Sequence, residues 1–397
     1  MFEILLAILL GICAGIITGL IPGVHVNLIT SLVVALAATA TGLDVFYVAI
    51  FILSLALTHS FLDAIPSLYL GAPDPVHAAS VLPGHQLLHE GKGYQAIVYT
   101  LIGSFCGLLA TLLVFPFGVW YLEFVAGMLT PYIGYILLAA IVFLLLYSGN
   151  ILKNGLFLLA SGGLGLLVFT LSNEQVLLPL LSGLFGTSTL LFSLLSVTAL
   201  PAQDTKSETR VNNKVLDGTV GRATLIGVVA AFLPGFGASQ GAIVGLSTMK
   251  KPEPKDYLLL TGALNTVAFA FSLVTFTILA KARNGAIVGV GELVGSFQTE
   301  QLWFFAALFL FVGGVATLLG LFFAKYLLVV LRKIPYGKLV HGLLMFLFCL
   351  VAVLSGGSGV VILISATGLG LLAQFYGAQR NMLLGCLLIP VLLYFLG

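Results

Sequence analysis

Long apolar runs separated by short polar breaks occupy almost the whole chain. They fall at residues 4–20, 26–42, 45–70, 94–115, 133–147, 155–171 and 176–199, and again at 219–233, 238–249, 257–280, 302–324, 337–354, 358–376 and 382–396. Most are close to the roughly 20 residues a helix needs to cross a bilayer. None shows the ten-residue alternation of an outer-membrane barrel strand. The pattern predicts an all-α polytopic membrane protein. Between the two sets lies one long hydrophilic stretch, Gln203-Asp204-Thr205-Lys206-Ser207-Glu208-Thr209-Arg210. It divides the chain into a first membrane repeat (1–200), a polar cytoplasmic linker (201–218) and a second membrane repeat (219–397).

The halves resemble each other at a near-constant spacing. Gly15-Ile16-Ile17-Thr18-Gly19-Leu20-Ile21-Pro22-Gly23 is matched by Gly227-Val228-Val229-Ala230-Ala231-Phe232-Leu233-Pro234-Gly235. Ala110-Thr111-Leu112-Leu113 recurs as Ala316-Thr317-Leu318-Leu319, and Gly163-Leu164-Gly165-Leu166-Leu167 as Gly368-Leu369-Gly370-Leu371-Leu372. Three matches in one order predict a two-fold internal repeat. Proline removes a backbone donor and glycine relaxes φ, so both Pro-Gly pairs must break their helices. Each break is read as the tip of a re-entrant hairpin, because irregular backbone survives at membrane depth only under cover of protein or a water cavity.

Charge orients the halves. Residues 1–200 hold only Lys92 and Lys153 as basic side chains, and the other fourteen lie in residues 201–397. Placing Lys206, Arg210, Lys250 and Lys251 in the cytoplasm makes 219–249 a hairpin that enters and leaves on one side. Five crossings follow it, with Lys325, Arg332, Lys333, Lys338 and Arg380 inside; the same count backwards puts the N-terminus outside. An odd number of crossings per repeat predicts inverted repeats, as in many secondary transporters. Lys281 and Arg283 alone break the asymmetry.

Only 8% of residues are charged, against about 25% in a soluble domain, and 60% are hydrophobic. This excludes a soluble enzyme, a disordered chain and a nucleic-acid binder. The net charge of +2 carries no information on partners. Cys13, Cys106, Cys349 and Cys386 lie unpaired in apolar runs and read as small buried hydrophobes. Met1-Phe2-Glu3 followed by an apolar run reads as a retained membrane segment, with no basic leader or cleavage site.

The chemistry gathers at the breaks. A helix N-terminus presents free N–H groups and the positive end of its dipole to an anion, and polar residues follow both tips. The expected substrate contacts are Gly23, His25 and Asn27 with Thr30 near by, and Gly235, Gly237, Ser239 and Gln240. Arg283 is the best full positive charge for a carboxylate or phosphate. His59 and Asp63 lie one helical turn apart on one face of an embedded segment; such a pair suits proton coupling, with a hydrogen-bonded structural pair as the alternative. Asn265 stands at the place of His59 in the second repeat. Asp74 lies in Gly71-Ala72-Pro73-Asp74-Pro75, opposite Lys281 and Arg283, where a solvated loop end is the plainer reading. Five of six histidines (His25, His59, His77, His85, His89) precede residue 90, but none has company suited to a zinc site. No metal and no cofactor are expected, only a coupling ion, H⁺ or Na⁺.

Gly15, Gly19, Pro22 and Gly23, with Leu233-Pro234-Gly235-Phe236-Gly237, resemble motifs of the large membrane subunit of the tripartite tricarboxylate transporters. So does Leu82-Pro83-Gly84-His85 through Glu90-Gly91-Lys92-Gly93 with Ala96. The resemblance covers most of the chain. The chain is shorter than is usual there, and the family's acidic double-asparagine motif is here Gly262-Ala263-Leu264-Asn265. The expected function is ion-coupled secondary active transport of a small organic anion such as a carboxylate, with alternating access and the substrate between the two hairpin tips. The alternative is translocation of a polyprenyl phosphate. An intramembrane enzyme using His59 and Asp63 has no nucleophile or metal motif behind it, and no P-loop exists for an ATP-driven pump. The expected setting is the cytoplasmic membrane of a prokaryote, with the lipid bilayer as partner, a homo-oligomer allowed and accessory subunits undetermined.

Overall fold

The computed structural model describes residues 2–21, 26–39, 44–70, 81–170, 176–195, 202–206, 209, 211–231, 237–250, 252–280, 284–331 and 336–396. Among them there is no strand. The helices are α1 (Phe2–Leu20), α2 (Val26–Thr39), α3 (Val45–Leu62), α4 (Ala64–Leu70), α5 (Val81–His89), α6 (Gly93–Leu129), α7 (Ile133–Tyr147), α8 (Ile151–Phe169), α9 (Leu177–Leu181) and α10 (Ser188–Leu195) before the linker. After it come α11 (Asn213–Ala230), α12 (Ala238–Ser247), α13 (Pro254–Leu279), α14 (Gly285–Val294), α15 (Thr299–Leu331), α16 (Tyr336–Phe375) and α17 (Gly385–Leu396). Among the described residues, seven continuous helical stretches are long and apolar enough to span a bilayer. Leu113, Trp120, Phe124, Leu152, Leu167, Leu318 and Val353 stand largely exposed. An apolar exterior of this kind is made for lipid tails.

Several boundaries differ from the apolar pattern. α6 runs on through Pro116 to Leu129, because an apolar helix among neighbours tolerates the lost hydrogen bond. The segments expected at 337–354 and 358–376 form the single element α16, kinked at Gly356, whose φ of 63° only glycine adopts readily. α5 and α14 have no counterpart among the expected segments. α11 starts inside the expected linker, at Asn213. Of the cysteines, Cys386 is buried but Cys13 and Cys349 are exposed, on surfaces that face outward from the bundle.

Close glycine contacts fix the packing. On α1 the stripe Gly11, Gly15 and Gly19 lies along α3: a Cβ at Gly11 would sit 2.6 Å from the Phe51 carbonyl, at Gly15 2.6 Å from Thr58 Cβ, and at Gly19 3.0 Å from Leu62 Cβ. Small residues at this spacing let two helix backbones meet. α1 and α3 therefore run in the same direction, their starts tied by Tyr47 Oη donating to Glu3 at 3.2 Å. α2, between them in the chain, packs on α3 and α14. In the second half α12 runs opposite to α13, with Gly241 against Leu264 and Gly245 against Leu260. Gly227 of α11 packs on Val267.

The same contacts give the directions of the central helices. α6 and α13 are parallel: Gly103 meets Leu259, Gly107 meets Ala263, and Gly118 meets Phe271 and Val274. Ser104 Oγ donates to the Gly262 carbonyl across the crossing (3.2 Å). α6 and α15 are antiparallel, with Lys325 over the Tyr94 ring, Leu101 on Gly320 and Leu108 on Gly313. α3 and α15 are parallel, from Phe46 against Phe304 and Phe305 to Phe61 at Gly313. It follows that α3 and α13 run in opposite directions, as do α6 and α15.

Neither half encloses a core alone. The larger apolar body comes chiefly from α1–α6 with α13–α15, and the smaller from α7–α9 with α16 and α17. In the smaller body α8 packs on α17 through Gly162 and Gly165, while α16 packs through Gly370 on the stretch Ser182–Thr187, a π-helical turn between α9 and α10. The linker is also docked. Gln203 is buried; its Oε1 accepts from Gly93 N–H (2.9 Å) and its Nε2 donates to the Leu88 carbonyl (2.8 Å). Asp204 N–H donates to the Gly91 carbonyl at 2.7 Å.

Candidate functional site

The first half of the site is built on α3. Asp44 caps that helix by accepting from Phe46 N–H at 2.9 Å, the usual role of an N-cap carboxylate. The helix stops at Asp63 because Pro66 has no N–H to return to the Leu62 carbonyl, and α4 resumes at Ala64. His59 and Asp63 are both buried, with Nε2 3.9 Å from Oδ2. His59 Nδ1 lies 3.0 Å from Thr18 Oγ1 on α1, and the Thr18 hydroxyl lies 3.3 Å from the Gly15 carbonyl. The glycine stripe is what brings Thr18 within reach. Ser54 and Thr58, on the same stretch of α3, bury hydroxyls that have no hydrogen-bond partner among the described residues.

Sequence reasoning missed Thr18, although it lies between Gly15 and Gly19 in the first motif. A threonine flanked by two small residues four apart is placed on the contact face of its helix, and that was the available signal.

The second half of the site is the first turn of α12 with the middle of α13. Gly237 N–H donates to Gln240 Oε1 at 3.0 Å, which caps the start of α12 with a side chain from its third position. Gln240 is buried. Asn265 is half-buried, next to Leu264, which packs against Gly241. Among the described residues its side chain has no hydrogen-bond partner. The backbone of Ser239 lies in α12 and that of Asn27 in α2. Thr30 is buried, its hydroxyl without a partner among the described residues, and packs on Gly289 of α14.

Gly23, His25, Gly235 and Arg283, with Pro22, Pro234, Asp74, His77 and Lys281, lie outside the described residues, so both Pro-Gly tips do as well. The helices that lead to them are described. α1 ends beside Leu62, so the chain leaves it at the level of Asp63; α12 begins beside Leu264 and Asn265. These two levels coincide. Phe61 and Leu108 share Gly313, and Gly107, next to Leu108, meets Ala263. The bundle thus brings His59–Asp63 and Asn265 to one height, near the middle of α3–α4 and of α13.

A family model described as the tripartite tricarboxylate transporter TctA family matches residues 5–385. The chain belongs to that family. It is a family of membrane transporter components and not of enzymes, in keeping with the multi-pass helical structure. A relative, the uncharacterized protein MJ1079 of Methanocaldococcus jannaschii, is 28% identical over 362 residues, covering 87% of this chain and 88% of its own. No solved structure matches the chain.

Proposed function

We propose that this protein is a secondary active transporter of a small organic anion, driven by an H⁺ or Na⁺ gradient, that works by alternating access with the anion between two hairpin tips. The observation that carries this reading is the direction of the paired helices. α3 and α13 occupy equivalent places in the two halves of the sequence, as do α6 and α15, and within each pair the members run in opposite directions. Opposed directions in equivalent elements are what an inverted repeat requires, and inverted repeats place a substrate at mid-depth where they meet. The common height of His59–Asp63 and Asn265 supports the same place.

On this reading the tips supply backbone N–H groups from Gly23 and Gly235–Gly237, and His25, Asn27, Ser239, Gln240 and Asn265 line the cavity. Helix ends contribute about 0.3–2 kcal/mol each toward an anion. That is too little to strip the water from a carboxylate, so Arg283 supplies the full charge. The coupling ion binds at His59 and Asp63. The setting is a prokaryotic cytoplasmic membrane with the N-terminus outside.

Two measurements test the proposal. Single cysteines at Asp44 and Glu174 should label from outside intact cells, and those at Lys153 and Asp204 should not. Labelling of Glu174 and Asp204 from one side would refute the inverted arrangement. A binding screen on purified protein, with citrate, smaller carboxylates and a polyprenyl phosphate side by side, should return a carboxylate. A hit on the polyprenyl phosphate alone would replace solute transport with lipid-carrier translocation.

A further inference from the structure

The smaller apolar body holds a cation that none of its described residues neutralises. Arg380 opens the short 3₁₀ turn Arg380–Leu384 between α16 and α17 and is only partly exposed. Its Nη2 spends both hydrogens on neutral acceptors, the Phe185 carbonyl at 3.0 Å and the Thr189 hydroxyl. Of the five guanidinium donors, Nε–H and the two on Nη1 remain, without partners among the described residues, and Nε is buried. Asn381 repeats the pattern: it is 6% exposed, and its buried Nδ2 has no partner among the described residues. A charge drawn out of water is costly unless it is paired. The sequence offers little to pair it with. No Asp or Glu follows Glu300, and residues 133–200 contain only Glu174, which lies outside the described residues.

The turn is not free to carry its arginine to water. Gln379 N–H donates to Asn154 Oδ1 at 2.8 Å, and Ser161 Oγ donates to the Met382 carbonyl at 3.0 Å. α8 thus grips the backbone on both sides of Arg380. Gln379 Nε2 and Asn154 Nδ2 both donate to the Ser148 carbonyl at 3.2 Å, which ties this turn to the one between α7 and α8. Two interhelical turns therefore meet at one end of the body. Lys153 is there as well, its Nζ 3.9 Å from where a Cβ on Gly377 would lie. Exposed Tyr147 and Tyr376 mark this end as a membrane interface, and exposed Leu152 and Phe375 border it with apolar surface.

We propose that Arg380, with Asn381 beside it in the chain and Lys153 at the rim, binds a phosphate anion, supplied by the headgroup of an anionic phospholipid. A guanidinium grips phosphate oxygens in pairs, and basic pockets between helix ends collect lipid headgroups. The bordering apolar surface suits the acyl chains of such a lipid and has no use for a free ion. Free phosphate would satisfy the same donors, so the test separates the two sources. Neither α3 nor α13 contributes to the core of this body; the site is therefore separate from the one proposed between the tips and does not rest on it.

Delipidated protein in dodecyl maltoside, which carries neither charge nor phosphate, is titrated with phosphatidylglycerol, phosphatidylcholine or inorganic phosphate. Native mass spectrometry counts bound lipid, and thermal unfolding gives the midpoint. Phosphatidylglycerol should bind and raise the midpoint, and phosphatidylcholine should do so far less. Arg380→Gln should weaken phosphatidylglycerol binding by about tenfold or more, the weight of hydrogen bonds to a charged group. Lys153→Gln should weaken it by about two- to fivefold. Lys338→Gln, the same charge change at an exposed position on α16, should leave it unaltered. Arg380→Lys keeps the charge without the fork; it should also weaken binding, and serves where Arg380→Gln does not fold. A midpoint raised by inorganic phosphate through Arg380, with no preference for phosphatidylglycerol, would overturn the lipid as the source. Equal losses in Arg380→Gln and Lys338→Gln, or no response to either anion, would overturn the site.

Discussion

The crossing of α6 and α13 offers a sharp test of the packing, because one helix carries both the perturbation and its control. A Cβ at Gly107 would lie 2.8 Å from the Ala263 Cα and carbonyl oxygen, while one at Gly127 would have nothing within 4 Å. In Gly107→Ala the two backbones must part by roughly 0.6 Å to reach ordinary contact distance, and a gap of that size forfeits about a quarter or more of each neighbouring contact. Overpacking of this kind costs about 1–3 kcal/mol. Alanine also gains up to about 1 kcal/mol over glycine in a helix. That gain is common to both sites, so the difference between the variants isolates the packing. Gly107→Ala should therefore be less stable than Gly127→Ala by about 1–3 kcal/mol, a difference of a few degrees in the melting midpoint. Thermal unfolding in detergent, followed by the fluorescence of Trp120 on α6 and Trp303 on α15, would measure it. Coincident midpoints would mean that α6 and α13 do not cross at these glycines, and the helix directions inferred from them would fall.

Three further outcomes follow from the site and the linker. Asp63→Asn should abolish uptake driven by a pH gradient while leaving anion binding measurable; unchanged uptake under both pH and sodium gradients would return the pair to a structural role. Arg283→Lys should weaken anion binding and Arg283→Gln should weaken it more, both with little change in thermal stability, as isothermal titration with the carboxylate found in the screen would show; equal affinities would leave the anion to the histidines of the first half. Gln203→Ala takes the partner from Gly93 N–H and leaves the Leu88 carbonyl with Gly91 N–H, at a cost of about 1–3 kcal/mol for the Gly93 N–H if it stays dry; the linker should then be cut faster by trypsin at Lys206 than in the unsubstituted protein.

Much of this fold is legible in the sequence. Apolar length places the long helices and gives the ends of α1, α7 and α13 to within three residues, since a bilayer demands about 20 apolar positions and little else in the chain supplies them. The start of α3 is legible from Asp44, and its end from Pro66. α5 and α14 are not legible by that criterion: at nine and ten residues they are too short to span, and α14 declares itself only through its cap, Asn284 accepting from Ala286 N–H at 2.8 Å. The extension of α6 beyond Pro116 is hidden because proline reads as a stop unless the neighbours of the helix are known. Gln203 looks like an ordinary linker residue; only the fold shows that its two bonds tie the linker to the turn before α6. His59 and Asp63 are legible as a pair because four residues make one helical turn, whereas Thr18 belongs to another helix and is brought in by the spacing of Gly15 and Gly19.

The proposed coupling also has an asymmetry that bears on stoichiometry. Loading the pair with a proton raises its charge by one. Two unit charges taken as about 10 Å apart at an effective dielectric of about 20 interact by roughly 1.7 kcal/mol, so a monovalent anion bound at such a separation would gain more than tenfold in affinity. Linkage is reciprocal, so the bound anion favours the proton by the same factor, and the two would travel together. The second half cannot add a proton of its own by this route. Asn265 stands at the place of His59 in the repeat, and an amide does not titrate. Four residues further on, where the first half has Asp63, the second has Phe269, buried among apolar neighbours. On the proposed reading only the first half has a titratable pair at this place, so the proposed coupling would carry one proton per transport cycle and not two.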